Sequence, residues 1–173
     1  MRSVLELGLT AWHHTIAALP FVRGVERPGE AWPNTGAVTS AGDQVHLGPV
    51  ARAVLGTSGA GVPVGVISDG ADDRFASIAT GDLPADLVQP PIPGLSAGQG
   101  NEGTALLEIV HDVAPAAPLF FAAARTSVEM TVAIDGLAAA GARVIIDDLV
   151  FTDEPKFEDG PVAVAARRFA TGG

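Results

Sequence analysis

Three points along the chain place carboxylates where chemistry could be done. The run Val62-Pro63-Val64-Gly65-Val66-Ile67 is almost continuously apolar, rich in valine, and stops abruptly at Ser68-Asp69-Gly70. Such a run reads as a strand buried on both faces of a parallel sheet. Asp69 is then delivered at the strand's carboxyl end, where open α/β sheets place their active residues. Glu102 follows Asn101 in the first turn of an amphipathic segment, where the helix dipole stabilises an anion. Arg143-Val144-Ile145-Ile146 is another buried-strand pattern, and it delivers Asp147 and Asp148. Each acid also has a plain structural reading. Asp69 could cap the next helix, Glu102 could be an ordinary first-turn acid, and Asp148 could accept hydrogen bonds from loop amides.

The elements that must position these acids follow from spacing. Residues 3 to 18 read as a helix with Val4, Leu5, Leu9, Trp12 and Ile16 on one side. A weak edge strand over 21–26 and a Pro/Gly/Ser/Thr-rich linker over 27–42 follow. A short helix is expected over 44–55, with Pro49 limiting where it begins. Gly56 to Gly61 forms a flexible entry into the central strand. Next come a short helix over 71–79 ending near Gly81, a brief strand at 86–88 and a loop over 89–100. Asn101 is expected to cap a helix over 102–113, with Leu106, Leu107, Ile109, Val110 and Val113 on its apolar side and Pro115 ending it. A buried strand over 119–124 leads to a helix over 128–140, with Val132, Ile134 and Leu137 inward and Gly141 closing it. After the strand at 143–146, a last helix spans 161–170. This order implies right-handed crossovers and a parallel sheet with helices on both faces.

Composition bounds the rest. With 173 residues and 47% hydrophobic content, the chain can build one domain with a real core. A net charge of −10 argues against nucleic acid and anionic membranes as partners. No apolar run reaches the length of a bilayer span, and there is no cysteine for a disulfide or thiolate metal site. No signal peptide is legible at the N-terminus, because Glu6 interrupts its apolar stretch. If the protein is exported, its signal lies upstream.

Several familiar patterns fail on context. Gly94-Leu95-Ser96-Ala97-Gly98 matches a nucleophile elbow, but Pro90, Pro91 and Pro93 forbid the strand that must precede it. Gly98-Gln99-Gly100-Asn101-Glu102-Gly103 matches a dinucleotide fingerprint, yet it lacks the preceding strand, and Glu102 would repel a pyrophosphate. Thr57-Ser58 precedes a strand and reads as a turn. His13 and His14 diverge on a helix, and His111 lies more than two turns from Glu102. None of these histidines is assigned chemistry.

In combination the acids gain meaning. A buried strand ending Ser-Asp-Gly, then a helix opening Asn-Glu-Gly-Thr-Ala, then Val113-Ala114-Pro115 and another strand, resembles the subtilisin/sedolisin superfamily of serine peptidases. Asp69 matches the family's catalytic Asp, Gly103-Thr104 its Gly-Thr, and Val113-Ala114-Pro115 its closing motif. Ala138-Ala139-Ala140-Gly141-Ala142 before the third strand is similar to the next family segment. The resemblance covers residues 37 to 170. It departs at one position, since Glu102 stands where subtilisins carry His. Sedolisin-like members also use Glu as base, with a second acid four residues on, but that position here is Leu106.

The resemblance implies a three-layer subtilisin-like α/β fold, truncated at the C-terminus, over residues 37–173, with residues 1–36 similar to a prodomain tail and linker. It implies a Ser-Glu-Asp peptidase in which Asp69 orients Glu102, with Asp148 as a candidate third acid. The nucleophilic Ser and the oxyanion-hole Asn are expected beyond Gly173, so the isolated chain is expected to be inactive. Peptide or protein is the implied substrate, and an extracellular or cell-envelope location is expected. No cofactor or metal is required, and calcium is left unassigned. An ordinary Glu, with a pKa of about 4.3, is a poor base at neutral pH, so burial and neighbouring carboxylates must raise it. An acidic optimum follows. Two other readings remain open, an inactive binding module on the same fold and a nucleotide-binding α/β domain.

Overall fold

The computed structural model describes residues 18–20, 22, 32–33 and 42–172. The expected helix over 3–18 and strand over 21–26 lie almost wholly outside the described residues, and His13 and His14 lie entirely outside them. Within the expected linker, Trp32–Pro33 forms a two-residue strand, β1. It pairs antiparallel with Leu149–Val150, labelled β5 below.

The centre is β2, Val64–Ser68, with all five residues buried. It lies between β3, Leu119–Ala123, and β4, Val144–Asp147, in a parallel sheet of order β3-β2-β4. Registers run Val64 to Leu119 and Val64 to Val144, so the three strands end level with one another. Alternation along β2 and β3 builds two cores. Val64, Val66, Leu119 and Phe121 pack against Leu107 and Val110 of α4, Glu102–Val113. Ile67 and Ala122 pack the other way, against Met130, Ile134 and Leu137 of α5, Ser127–Ala140, and Ala165 of α6, Pro161–Thr171. At Gly65 a Cβ would come within 2.9 Å of the Leu137 side chain, so the glycine sets how closely α5 approaches the sheet. The chain is an α/β structure with a three-stranded parallel sheet and helices on both faces.

Several expectations need correction. The helix expected over 44–55 is two helices, α1, Gly42–Val45, and α2, Gly48–Leu55. Leu47 between them is left-handed at φ 58°, and Pro49 sits in the first turn of α2, the one place in a helix where its missing N–H costs nothing. Arg52 holds the pair together. It grips both Asp43 carboxylate oxygens at 2.7 Å and donates to Val113 O at 2.9 Å, tying α1 and α2 to the end of α4. Helix α3 spans Arg74–Thr80, starting three residues later than expected, and closes at Gly81. The brief strand at 86–88 reduces to a single parallel bridge from Val88 to Phe120.

Strand β4 is not buried as expected. Among the described residues only β2 pairs with it, Val144 is 41% exposed, and Ile145 and Ile146 are half-buried. The apolar stripe of α4 is also narrower than expected. Leu107 and Val110 are buried, while Ile109 and Val113 face outward. On α5, Met130 and Ala133 join Ile134 and Leu137 inside, and Val132 is only half-buried.

Candidate active site

The level ends of β2, β3 and β4 form a rim, and the acids gather there. Ser68 ends β2, and Asp69 follows as the chain leaves the sheet. Across the rim, Asp148 follows β4. Its carboxylate Oδ1 accepts a hydrogen bond of 3.2 Å from Ser68 Oγ, which is completely buried. Alternation sends Asp147 to the opposite face, where it borders a small apolar cavity with Met130, Ile134 and Phe151. Of this adjacent pair, only Asp148 joins the rim.

Glu102 reaches the rim because the segment from Gly98 to Gly103 lies directly on the chain from Asp69 to Asp73. Gln99 N donates to Asp69 O and Gly103 N to Gly70 O, both at 2.9 Å. Asp72 N donates to Gly100 O and Gly100 N to Asp72 Oδ2, both at 3.0 Å. Asn101, expected to cap α4 with its side chain, instead bridges to the start of α3. Its Oδ1 accepts from Asp73 N at 2.8 Å, and its Nδ2 donates to Asp73 Oδ2 at 2.6 Å.

Glycine makes this contact feasible. A Cβ at Gly98 would strike Asp69 O, one at Gly70 the Gln99 backbone, and one at Gly100 the Asp69 carboxylate. Gly103 likewise sits 2.5 Å, by its absent Cβ, from Gly70 O and from the Phe121 ring. The fingerprint-like glycine pattern therefore has a different cause from phosphate binding. Its glycines permit backbone-to-backbone packing that carries Glu102 to the end of β2.

The electrostatics follow from this crowding. Glu102 holds its proton above the usual carboxylate range, first through partial burial, then through the charges of Asp148 and Asp69. The two carboxyls also act on each other directly, which raises Glu102 and lowers Asp148. Asp148 is itself pushed up by burial, against the Ser68 hydroxyl, which stabilises its charged form. Asp69 Oδ1 is buried without a hydrogen-bond partner among the described residues. So Asp69, Glu102 and Asp148, the three candidate site residues, are brought together, and two of them form a coupled pair. Such a pair holds a proton to higher pH than isolated carboxyls do and can release or accept it in a reaction.

Two contributors carry little signal in the sequence. Ser68 reads only as the end of a strand, although a buried hydroxyl next to acids needs a partner. The glycines at 98, 100 and 103 have the spacing of a ligand motif, but what they provide is close backbone approach. Leu106 lies one turn after Glu102 and supplies no acid. His111, far along α4, takes no part. The segment 89–100 has no strand before Gly94 or Gly98, so neither rejected motif has the context its chemistry needs. Among the described residues no group of three acids or histidines is arranged to hold a metal ion. With this geometry in view, comparison with protein-family models and with curated proteins finds no match to the chain.

Proposed function

We propose that this chain is the N-terminal part of a subtilisin/sedolisin-like serine peptidase domain of the Ser-Glu-Asp kind, acting on peptide or protein substrates outside the cell. One observation carries the reading. Asp69 from the central strand, Glu102 from the first turn of α4 and Asp148 from the end of β4 gather at the carboxyl rim of a parallel sheet, where Ser68 bonds Asp148 and the charges of Asp148 and Asp69 both act on Glu102. In this reading Glu102, deprotonated, takes the proton from a serine supplied beyond Gly173. Asp69 and Asp148 set its orientation and its proton affinity. The same carboxyl, protonated, then serves the leaving amine as acid. Because burial and the neighbouring acids hold Glu102 above its ordinary range, it binds a proton more tightly than an isolated Glu and is the better base when ionised.

A second reading rests on Ser68. This hydroxyl bonds Asp148, and it is completely buried, out of a substrate's reach. Without a further nucleophile, the rim would bind a ligand and do no chemistry. The test is expression of the chain together with its downstream coding sequence, and treatment with a fluorophosphonate probe across the pH range. The peptidase reading expects labelling of a serine beyond residue 173, strongest in acid and lost in Glu102→Gln. No labelling at any pH, or an optimum at neutral to alkaline pH, overturns it.

A further inference from the structure

One strand over from Asp69 lies a cavity of about 610 Å³. Its floor is the end of β3, Ala122 and Ala123, and its walls are the proline-rich loop, including Ile92 and Leu95, with Gln89 at one side. Ala123 is the register partner of Ser68 and touches the position a Gly98 Cβ would take, so cavity and acids share one rim. Neighbouring strands lie about 4.8 Å apart and an extended peptide advances about 3.3 Å per residue, so a peptide at the acids reaches the cavity within two or three residues.

Arg74 is the only charged group lining this cavity. One of its N–H groups donates to Ala71 O at 2.7 Å, and its face covers the Phe75 ring at 4.4 Å. No carboxylate among the described residues forms a salt bridge with it, in a chain of net charge −10. A guanidinium carries five N–H donors, so several remain for a ligand. Gln89 spends one of its two Nε2 hydrogens on Ala97 O at 3.2 Å, and its amide oxygen, an acceptor, offers a carboxylate nothing. Apolar walls with a guanidinium fit a short aliphatic stem ending in a carboxylate.

We infer that the cavity beside Arg74 is a specificity pocket that takes a glutamate side chain of the bound peptide. This rests on the peptide-binding reading of the acidic rim and adds to it the class of substrate. An Arg–carboxylate contact is both charged and directional, so the neutral isostere should be discriminated against.

The test uses the isotope-labelled 173-residue chain, titrated near pH 6 with acetyl-Ala-Glu-Ala amide, its Gln analogue and acetyl-Ala-Ala-Ala with a free C-terminus. A Glu side chain, with a pKa of about 4.3, is ionised there. The Glu peptide is expected to shift the Arg74 Nε–H and Gln89 side-chain signals and to bind about tenfold more tightly than the Gln peptide. Arg74→Gln should erase that preference, and Arg74→Lys should keep part of it, with thermal melts confirming that both variants fold. Equal binding of Glu and Gln peptides, shifts confined to other parts of the chain, binding of neither, or tighter binding of the free C-terminus each overturns the inference. The serine-probe experiment reads independently. Probe labelling without a Glu preference sinks the pocket alone, and an Arg74-dependent Glu preference without labelling sinks the peptidase reading alone.

Discussion

If Gly100 is glycine because Asp69 lies against it, then adding one methyl group there should be felt by that carboxylate in particular. Gly100 has φ 123° and Gly94 has φ 89°, both in the region where an L side chain is strained. Alanine at either position carries a backbone cost of about 1–2 kcal/mol. The two differ in surroundings. Nothing lies within 4 Å of a Cβ at Gly94, whereas one at Gly100 falls on the Asp69 carboxylate. Overpacking of that kind adds about 1–3 kcal/mol, so Gly100→Ala should cost roughly 2–5 kcal/mol and Gly94→Ala only the backbone share. For a chain of this size each kcal/mol lowers the melting temperature by roughly 2–4 °C. The decisive assay is a double-mutant cycle by urea denaturation. With Asp69→Ala in place the methyl group has room, so Gly100→Ala should fall to about the cost of Gly94→Ala, leaving a coupling of about 1–3 kcal/mol. If Gly100→Ala costs no more than Gly94→Ala, or costs the same with and without Asp69, the packing of this loop on Asp69 is not as described.

Other outcomes follow from the same geometry. Glu102 and Asp148 both hold protons above the ordinary carboxylate range in the fold, so the folded chain binds more protons than the unfolded one in that window, and its stability must fall as pH rises through it. Glu102→Gln should flatten this slope and be at least as stable as the parent at neutral pH; a variant less stable there, by urea midpoint, would show that Glu102 is favourably ionised. Ser68→Ala removes the hydroxyl that stabilises the Asp148 carboxylate, so the Asp148 titration should move up, and an unmoved NMR titration curve contradicts the hydrogen bond. Leu107→Ala, at a fully buried position, should cost about 2–5 kcal/mol. Ile109→Ala, 49% exposed on the same helix, should cost well under half as much in the same denaturation series.

The three parallel strands and the helices between them were legible because buried strands leave continuous apolar runs and glycine marks helix ends, as at Gly81 and Gly141. The meeting of Asp69, Glu102 and Asp148 could be anticipated because strand ends and helix starts in a parallel sheet fall on one rim. What stayed hidden depends on neighbours. Val144 to Ile146 has the composition of a central strand, and nothing in the run itself reveals that Val144 is 41% exposed. Gln44 to Leu55 has helical spacing, but the break at Leu47 comes from where Pro49 can sit. Asn101 has the right type for a cap, yet Asp73 outcompetes its own helix for the side chain. Ser68 acquires its role only when Asp148, 80 residues on, is brought beside it, and the glycines at 98, 100 and 103 only when their segment is laid on the chain after β2.

The most direct measurement is a carbon-detected NMR titration of every side-chain carboxyl in the 173-residue chain. Glu102 and Asp148 should both titrate above the ordinary values of about 4.3 and 3.9, and each should show two steps, because each senses the other's proton. Two simple one-step curves at ordinary values would mean that these carboxyls stand apart, and the shared proton at the rim of the sheet would not exist.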